Sequence, residues 1–173
     1  MVDWGRHTSR ASLSLALLAP AAAIAAPQSA SPPPNASAAL LRPLTLIKIS
    51  DMDFGYLGVT AAGTAVINPV SDTISATGGV VLLGGTPHAA TFRGRADGGP
   101  VVNIKIPNGG INLKRVGGTE TILLNTFTLD GQSKRTLAQS GTFDFKVGGT
   151  LRPAANQVEG VYSGTFDVTI QYP

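Results

Sequence analysis

The chain of 173 residues contains no cysteine, and only 13% of its residues are charged. Without cysteine, neither disulfide bonds nor thiolate metal sites can hold the fold together. The charged fraction is about half of what soluble globular domains usually carry. Aromatic residues make up 6% of the chain, and its single tryptophan is Trp4. The lack of cysteine argues against a domain that is stabilised by a thiolate-bound metal, and the low charge argues against a highly charged disordered chain.

Glycine, proline and aliphatic residues are plentiful instead, and their use changes along the chain. Near the N-terminus, Arg6 and Arg10 precede an apolar run over residues 11–24, which closes with an A-x-A pattern at residues 23–25. Basic, then apolar, then small residues are typical of a secretory signal peptide. We therefore predict a signal peptide over residues 1–25. A membrane anchor is disfavoured because the run is short and rich in alanine.

Signal cleavage also lowers the charge of the chain. Asp3, Arg6 and Arg10 leave with the signal peptide, so the 13 basic and 10 acidic residues become 11 and 9, a net charge of +2. Such a weak and scattered charge argues against nucleic acid as a partner. After cleavage we expect no membrane span.

The remaining chain divides into a leader and a domain. Residues 26–43 are rich in proline, serine and alanine, and residues 32–34 are three consecutive prolines that favour an extended conformation. From residue 44 onward, short apolar runs alternate with glycine-rich turns. We therefore predict a leader over residues 26–43 and one domain over residues 44–173.

Period-two alternation predicts strands throughout this domain. Apolar and polar residues alternate most clearly in segments 102–106, 143–147 and 166–172. Weaker strands are predicted over residues 40–50, 64–68, 73–76, 80–83, 89–95, 111–114 and 121–129. Many short strands at close spacing predict an all-β fold, either a β-sandwich or a barrel.

Glycine pairs mark the predicted turns between these strands, because glycine adopts positive φ without steric cost. The pairs are Gly78-Gly79, Gly84-Gly85, Gly98-Gly99, Gly109-Gly110, Gly117-Gly118 and Gly148-Gly149. No predicted helix follows any of them, so ordinary turns are a better interpretation than phosphate-binding loops.

Few residues are suited to catalysis or to metal binding. His88 is the single histidine left after signal cleavage, and we expect it at an exposed strand edge. Asp51 and Asp53 share a strand face, but two carboxylates fall far short of the roughly six to eight oxygens that calcium takes. We therefore predict solvated acids at a strand end, with no metal, no cofactor and no enzymatic activity.

The most specific pattern lies at the end of the chain. Gly160 is the fourteenth residue from the end, and Tyr172 is the penultimate residue. Between them, Phe166, Val168 and Ile170 alternate with polar residues. This combination resembles the last strand of chaperone–usher pilus subunits, which carries the same glycine, alternation and penultimate tyrosine.

A second resemblance covers nearly the whole predicted domain. Residues 44–55 are similar to the opening of the secreted bacterial family known as domain of unknown function 4402. Residues 102–107, 143–151 and 155–172 are similar to its remaining blocks. The resemblance implies export and a β-sandwich.

Together the resemblances imply an immunoglobulin-like β-sandwich that lacks its last strand and is completed by a donor strand from a neighbour. The candidate donor strand lies in the leader, with Ala36, Ala38 and Leu40 on one face. The implied function is a structural subunit of an extracellular pilus or fimbria-like filament on the bacterial surface. Its partners would be copies of the same chain joined head to tail, with a periplasmic chaperone and an outer-membrane usher as further candidates.

Two alternatives stay open. The leader could be an ordinary extension ahead of a self-complete sandwich. The protein would then be a monomeric secreted or surface-associated binding module, for carbohydrate or for adhesion. An enzyme is the least supported class, because the sequence offers no candidate catalytic site.

Export predicts a defined mature N-terminus. We expect the mature chain to begin at Ala26, because the A-x-A pattern ends at Ala25. Intact-mass measurement of secreted protein tests this expectation. Secreted protein that retains the segment around Trp4 would contradict it.

Overall fold

Eleven β-strands make up the part of the chain that the computed structural model describes, namely residues 38, 40, 43–96, 101–139 and 141–173. Among these residues, no helix is long and apolar enough to cross a membrane. In chain order the strands are β1 Thr45–Ser50, β2 Tyr56–Asn68, β3 Thr73–Gly84, β4 Ala90–Arg95, β5 Val101–Lys105, β6 Ile111–Arg115, β7 Thr121–Leu129, β8 Lys134–Thr136, β9 Thr142–Arg152, β10 Tyr162–Ser163 and β11 Thr169–Gln171.

The strands form two antiparallel sheets. The large sheet has the order β1-β4-β9-β7-β6-β10, and β2 joins it beside β9 with β3 on its other side. The small sheet has the order β11-β5-β8. Ile104 of the small sheet packs in one cluster with Phe92 and Phe145 of the large sheet. The all-β, sandwich-like fold predicted from the alternation is therefore confirmed.

Strand β9 is the centre of the large sheet. On one side its residues 142–147 pair with β4 and its residues 149–151 pair with β2. On the other side its residues 147–152 pair with β7. Because strands cover both edges, residues 147–151 are all buried.

Two glycine pairs that were predicted as turns lie inside strands instead. Gly78-Gly79 belongs to β3, and Gly148-Gly149 belongs to β9. A Cβ at position 148 would lie 2.2 Å from the carbonyl oxygen of Ile67. Glycine is required there because a neighbouring backbone approaches closely, which is a second reason for glycine in strands.

The other strand and turn predictions agree well with the structure. Every predicted segment overlaps an observed strand, although the one predicted to begin at Leu40 begins at Thr45. The glycine pairs at residues 84–85 and 117–118 lie at strand ends, as predicted. Strand β8 was not predicted, because its three polar residues show no apolar alternation.

The buried apolar residues form three clusters. The first cluster comprises Ala65, Val80, Ile122, Leu124 and Leu151. The second cluster comprises Ala90, Phe92, Ile104, Phe145 and Val147. The third cluster comprises Ala96, Val102 and Leu137. The second and third clusters position the candidate site, because the residues of that site pack against them.

The position of Gly148 predicts a strong effect of one added methyl group. We expect Gly148→Ala to lower the free energy of unfolding by about 1–3 kcal/mol, because the new Cβ would collide with strand backbone. Gly109→Ala is the control, since a Cβ at position 109 meets nothing within 4 Å. Urea unfolding of both variants makes the comparison, and equal stabilities would contradict the close approach.

Candidate functional site

Two strand edges form the candidate functional site. Among the described residues, β11 pairs with β5 alone, with Ile170 opposite Ile104. In the same part of the chain, β1 pairs with β4 alone. Within the described residues, each of these strands therefore has one edge without a ladder partner. We call residues 44–50 and 166–172 the open-edge site.

The side chains of the C-terminal segment alternate between interior and solvent. Phe166, Val168, Ile170 and Tyr172 are half-buried, and the residues between them are exposed. The first three pack against the second cluster, and Tyr172 packs against the third. The predicted inward face is confirmed, and its role in assembly stays a prediction. None of the four side chains is fully buried, so the interior is only partly covered at this edge.

The C-terminal segment is not the single continuous strand that its alternation predicts. It pairs with β6 at Tyr162–Ser163 and with β5 at Thr169–Gln171, so it passes from the large sheet to the small sheet between them. Gly160 has a φ of +147°, which favours glycine. A Cβ at Gly164 would lie 2.8 Å from the side chain of Leu113. These two glycines allow the chain to turn and to pass close to β6.

Phe166 anchors this crossing to the large sheet. Its ring centroid lies 5.1 Å from that of Phe127 and 6.4 Å from that of Phe92, the latter edge-on. Aromatic pairs at such distances contribute roughly 0.5–1.5 kcal/mol beyond the burial of area. A cavity of about 350 Å³ opens beside Phe166 and is lined in part by Ile106 and Ile111.

Strand β1 borders the same interior. Leu46 packs against the second cluster, as Ile170 does, and Leu44 packs against the third cluster, as Tyr172 does. Leu44 and Leu46 were not predicted to belong to the site. Apolar and polar alternation identifies the inward-facing residues of a strand, but it does not show whether that strand lies at the edge of its sheet.

The predicted donor residues lie at the limit of the described chain. Ala36 is outside the described residues, and Ala38 is exposed. Leu40 is 97% exposed. A leucine in that position contributes no burial to its own domain, and its proposed place in a neighbour stays a prediction.

The acids and the histidine singled out in the sequence are held by local contacts. The backbones of Asp53 and His88 exchange two hydrogen bonds, of 3.0 and 2.9 Å. Asp53 Oδ1 accepts a hydrogen bond from the Gly55 amide at 2.8 Å, and His88 Nδ1 donates to the Thr86 carbonyl oxygen at 2.7 Å. Asp51 forms an ion pair with Lys48. Within the described ranges, no group of three or more potential ligands could hold a metal ion.

Two other acids, Asp144 and Glu120, have a lowered pKa and a basic partner. Arg93 donates two hydrogen bonds of 2.7 Å to Asp144 across β4 and β9, and these bonds lower the pKa of Asp144. The hydrogen bond from Arg115 lowers the pKa of Glu120 to about 2. Both carboxylates are therefore ionised at neutral pH, and each forms an ion pair that holds neighbouring segments together. Carboxylates with such low pKa values are poorly suited to proton transfer near neutral pH.

Comparison with known proteins identifies one family. The family model described as Domain of unknown function (DUF4402) matches residues 44–172. No curated protein and no solved structure matches the chain.

The inward face of the last strand predicts a contrast between two neighbouring residues. We expect Ile170→Asp to lower the free energy of unfolding by roughly 2–4 kcal/mol, because it places a charge against the second cluster. Gln171→Asp is the matched control and should change stability by no more than about 0.5 kcal/mol, because Gln171 is exposed. Chemical denaturation measures both, and the reverse order of effects would refute the register of β11.

Proposed function

This chain belongs to the family described as Domain of unknown function (DUF4402), and from that premise we propose that it is a structural subunit of an extracellular filament assembled by donor-strand exchange. In this proposal the leader of one subunit adds a strand to the open-edge site of the next. The protein is exported through the periplasm and carries no catalytic activity.

The observation that carries the proposal is the unpaired edge of β11. Its strand has a ladder on the β5 side, and no described strand pairs with the other side. Unpaired edges that expose backbone amides and carbonyls readily accept a strand from another chain. The half-buried Phe166, Val168 and Ile170 leave apolar surface that an added strand would cover.

The position of β1 supports the same interpretation. Its other edge is also unpaired among the described residues, and its Leu46 lies against the second cluster together with Ile170. A strand inserted beside β11 would therefore meet apolar side chains from both edges. Each backbone hydrogen bond that it forms would contribute about 0.5–1.5 kcal/mol.

The leader is suited to the part of the donor. Leu40 is 97% exposed, so its side chain gains burial only by contacting something outside its own domain. Burying a leucine contributes at most roughly 1.5–3 kcal/mol, and alanines at positions 36 and 38 contribute less. A head-to-tail contact of this kind does not close on itself, so it extends into a filament.

One observation favours the second candidate, a monomeric secreted binding module. Tyr56 is 72% exposed, and it is the one exposed aromatic side chain among the described residues. Exposed aromatic rings can stack on apolar faces of a ligand. A single ring is a small platform, and the open-edge site is left without a role in this alternative.

Truncation of the leader tests the filament proposal. A mature chain that begins at Leu44 should form no polymers and should be less stable, because its open-edge site has no donor to accept. A peptide of residues 34–41 should raise its melting temperature in a concentration-dependent way, since a ligand that binds only the folded state stabilises it. Electron microscopy and thermal unfolding provide the two measurements.

A pair of substitutions within the full chain serves as the matched comparison. Leu40→Asp should weaken polymerisation more than Ser37→Asp, because residue 40 lies on the predicted inserted face and residue 37 lies on the opposite face. The proposal would be overturned if the truncated chain were as stable as the full chain, if the peptide did not change its melting temperature, and if both chains were monomeric. The binding module would then be the remaining candidate.

A further inference from the structure

The connection between β5 and β6 joins the two sheets. β5 belongs to the small sheet and β6 to the large sheet, so residues 106–110 carry the chain from one sheet to the other. Within this connection Asn108 directly precedes Gly109, and both residues are exposed. A Cβ at Gly109 would meet nothing within 4 Å. The peptide between these two residues therefore borders open space.

No hydrogen bond holds this pair in place. Among the described residues, neither the side-chain amide of Asn108 nor the backbone amide of Gly109 takes part in a hydrogen bond. Glycine also rotates more freely about its backbone than any other residue. The nitrogen of Gly109 is therefore free to approach Cγ of the preceding asparagine.

This freedom allows an intramolecular reaction, because a neighbouring nucleophile on the same chain acts at a high effective concentration. The Gly109 nitrogen loses its proton to solvent base and attacks Asn108 Cγ, which forms a new C–N bond. The bond from Cγ to the side-chain nitrogen breaks, and that nitrogen takes up a proton and leaves as ammonia. Water then opens the resulting succinimide ring to aspartate or to isoaspartate. In total, water is consumed and ammonia is released, with no oxidant and no metal.

Most of the other described asparagines are held by strand structure. Four of them lie in strands, namely Asn68, Asn103, Asn112 and Asn125. A proline follows Asn68, and its nitrogen carries no hydrogen to lose. The backbone amide that follows Asn103 donates to the Ser133 carbonyl oxygen at 2.8 Å. The side-chain oxygen of Asn125 accepts a hydrogen bond from Arg152 Nε at 3.0 Å.

Asn156 is the best internal comparison, because it is also exposed and also lies in a turn. The backbone amide that follows it belongs to Gln157 and donates to the Ala154 carbonyl oxygen at 3.3 Å. Glutamine, unlike glycine, also has a side chain that restricts the approach of its nitrogen. Asn156 therefore shares the exposure of Asn108 but has neither its free backbone amide nor its following glycine.

The position of Asn108 gives the reaction a structural consequence. Aspartate at this position adds a negative charge to the connection between the sheets. Isoaspartate also lengthens that connection, because the chain then runs through the former side chain. Pro107, which directly precedes Asn108, lines the cavity beside Phe166. The altered residue would therefore lie next to the border of the open-edge site.

We propose that Asn108-Gly109 is a site of spontaneous deamidation, at which the folded protein converts slowly and without an enzyme into aspartate and isoaspartate forms. Water is the sole co-reactant. The reaction does not depend on the proposed filament, so it can be tested in any assembly state of the chain.

Timed incubation of the folded, full mature chain at mildly alkaline pH tests the site. Peptide mapping by mass spectrometry follows Asn108 and Asn156 in the same sample, and we expect Asn108 to convert about tenfold faster or more. Gly109→Ala should slow the conversion by about tenfold, because the added methyl group hinders the attack on Cγ. This variant should remain folded, since the new Cβ meets no other atom. The rate should rise with pH, because the attacking nitrogen must lose its proton.

The same measurement on the chain unfolded in urea tests the structural argument. Unfolding exposes every asparagine, so Asn108 should convert at similar rates in the two states. If Asn108 converts about tenfold more slowly in the folded chain, the connection shields it and the proposal is refuted. Equal rates at Asn108 and Asn156, or an unchanged rate in Gly109→Ala, would refute it as well. Isoaspartate among the products supports the ring intermediate, whereas aspartate alone would indicate direct hydrolysis and contradict the mechanism.

Discussion

The packing of Phe145 is the contact on which the rest of this structure depends. Its side chain is among the largest fully buried ones, and its ring stacks at 5.3 Å on Phe92 and at 6.0 Å on Phe143. Arg135 also lies over this ring, with its guanidinium carbon 5.8 Å from the ring centroid. Ile104 of the small sheet belongs to the same cluster, so one aromatic group joins the two sheets. A chain without disulfides depends on such packing for its stability.

This arrangement also explains where the surface is incomplete. Strand β9 carries Phe145 and is paired on both edges, and its residues 147–151 are buried. β1 and β11 each lie at one end of their sheet, and they have neighbours on one side alone among the described residues. Their inward side chains, such as Leu46 and Ile170, reach the same cluster but remain half-buried. In the proposed filament, the donor strand completes this outer part of a core whose centre is already formed.

Several of the few charged residues of the chain form pairs within the domain, and few charged residues lie at the open-edge site. Arg93 and Asp144 pair across two strands, and Lys146 binds Asp72 in the β2–β3 turn, so these charges hold elements of one domain together. The open-edge site is formed mainly by uncharged residues. Exchange of a strand requires surfaces that lose water readily, and charged groups would make that loss costly. Sparse charge is thus consistent with a protein that buries much of its surface against copies of itself.

The sequence by itself determined the all-β class, most strand positions and the inward face of the last segment. Each of these follows from alternation between neighbouring residues, which is a local property, and Phe166, Val168 and Ile170 are its clearest case. Only the tertiary structure decided which strands became edges and why Gly148 is a glycine. Those features depend on contacts between distant segments, such as the approach of the Ile67 carbonyl oxygen to β9. The sequence alone does not distinguish a glycine that forms a turn from one that lets a neighbouring backbone approach closely, because both positions require the absence of a side chain.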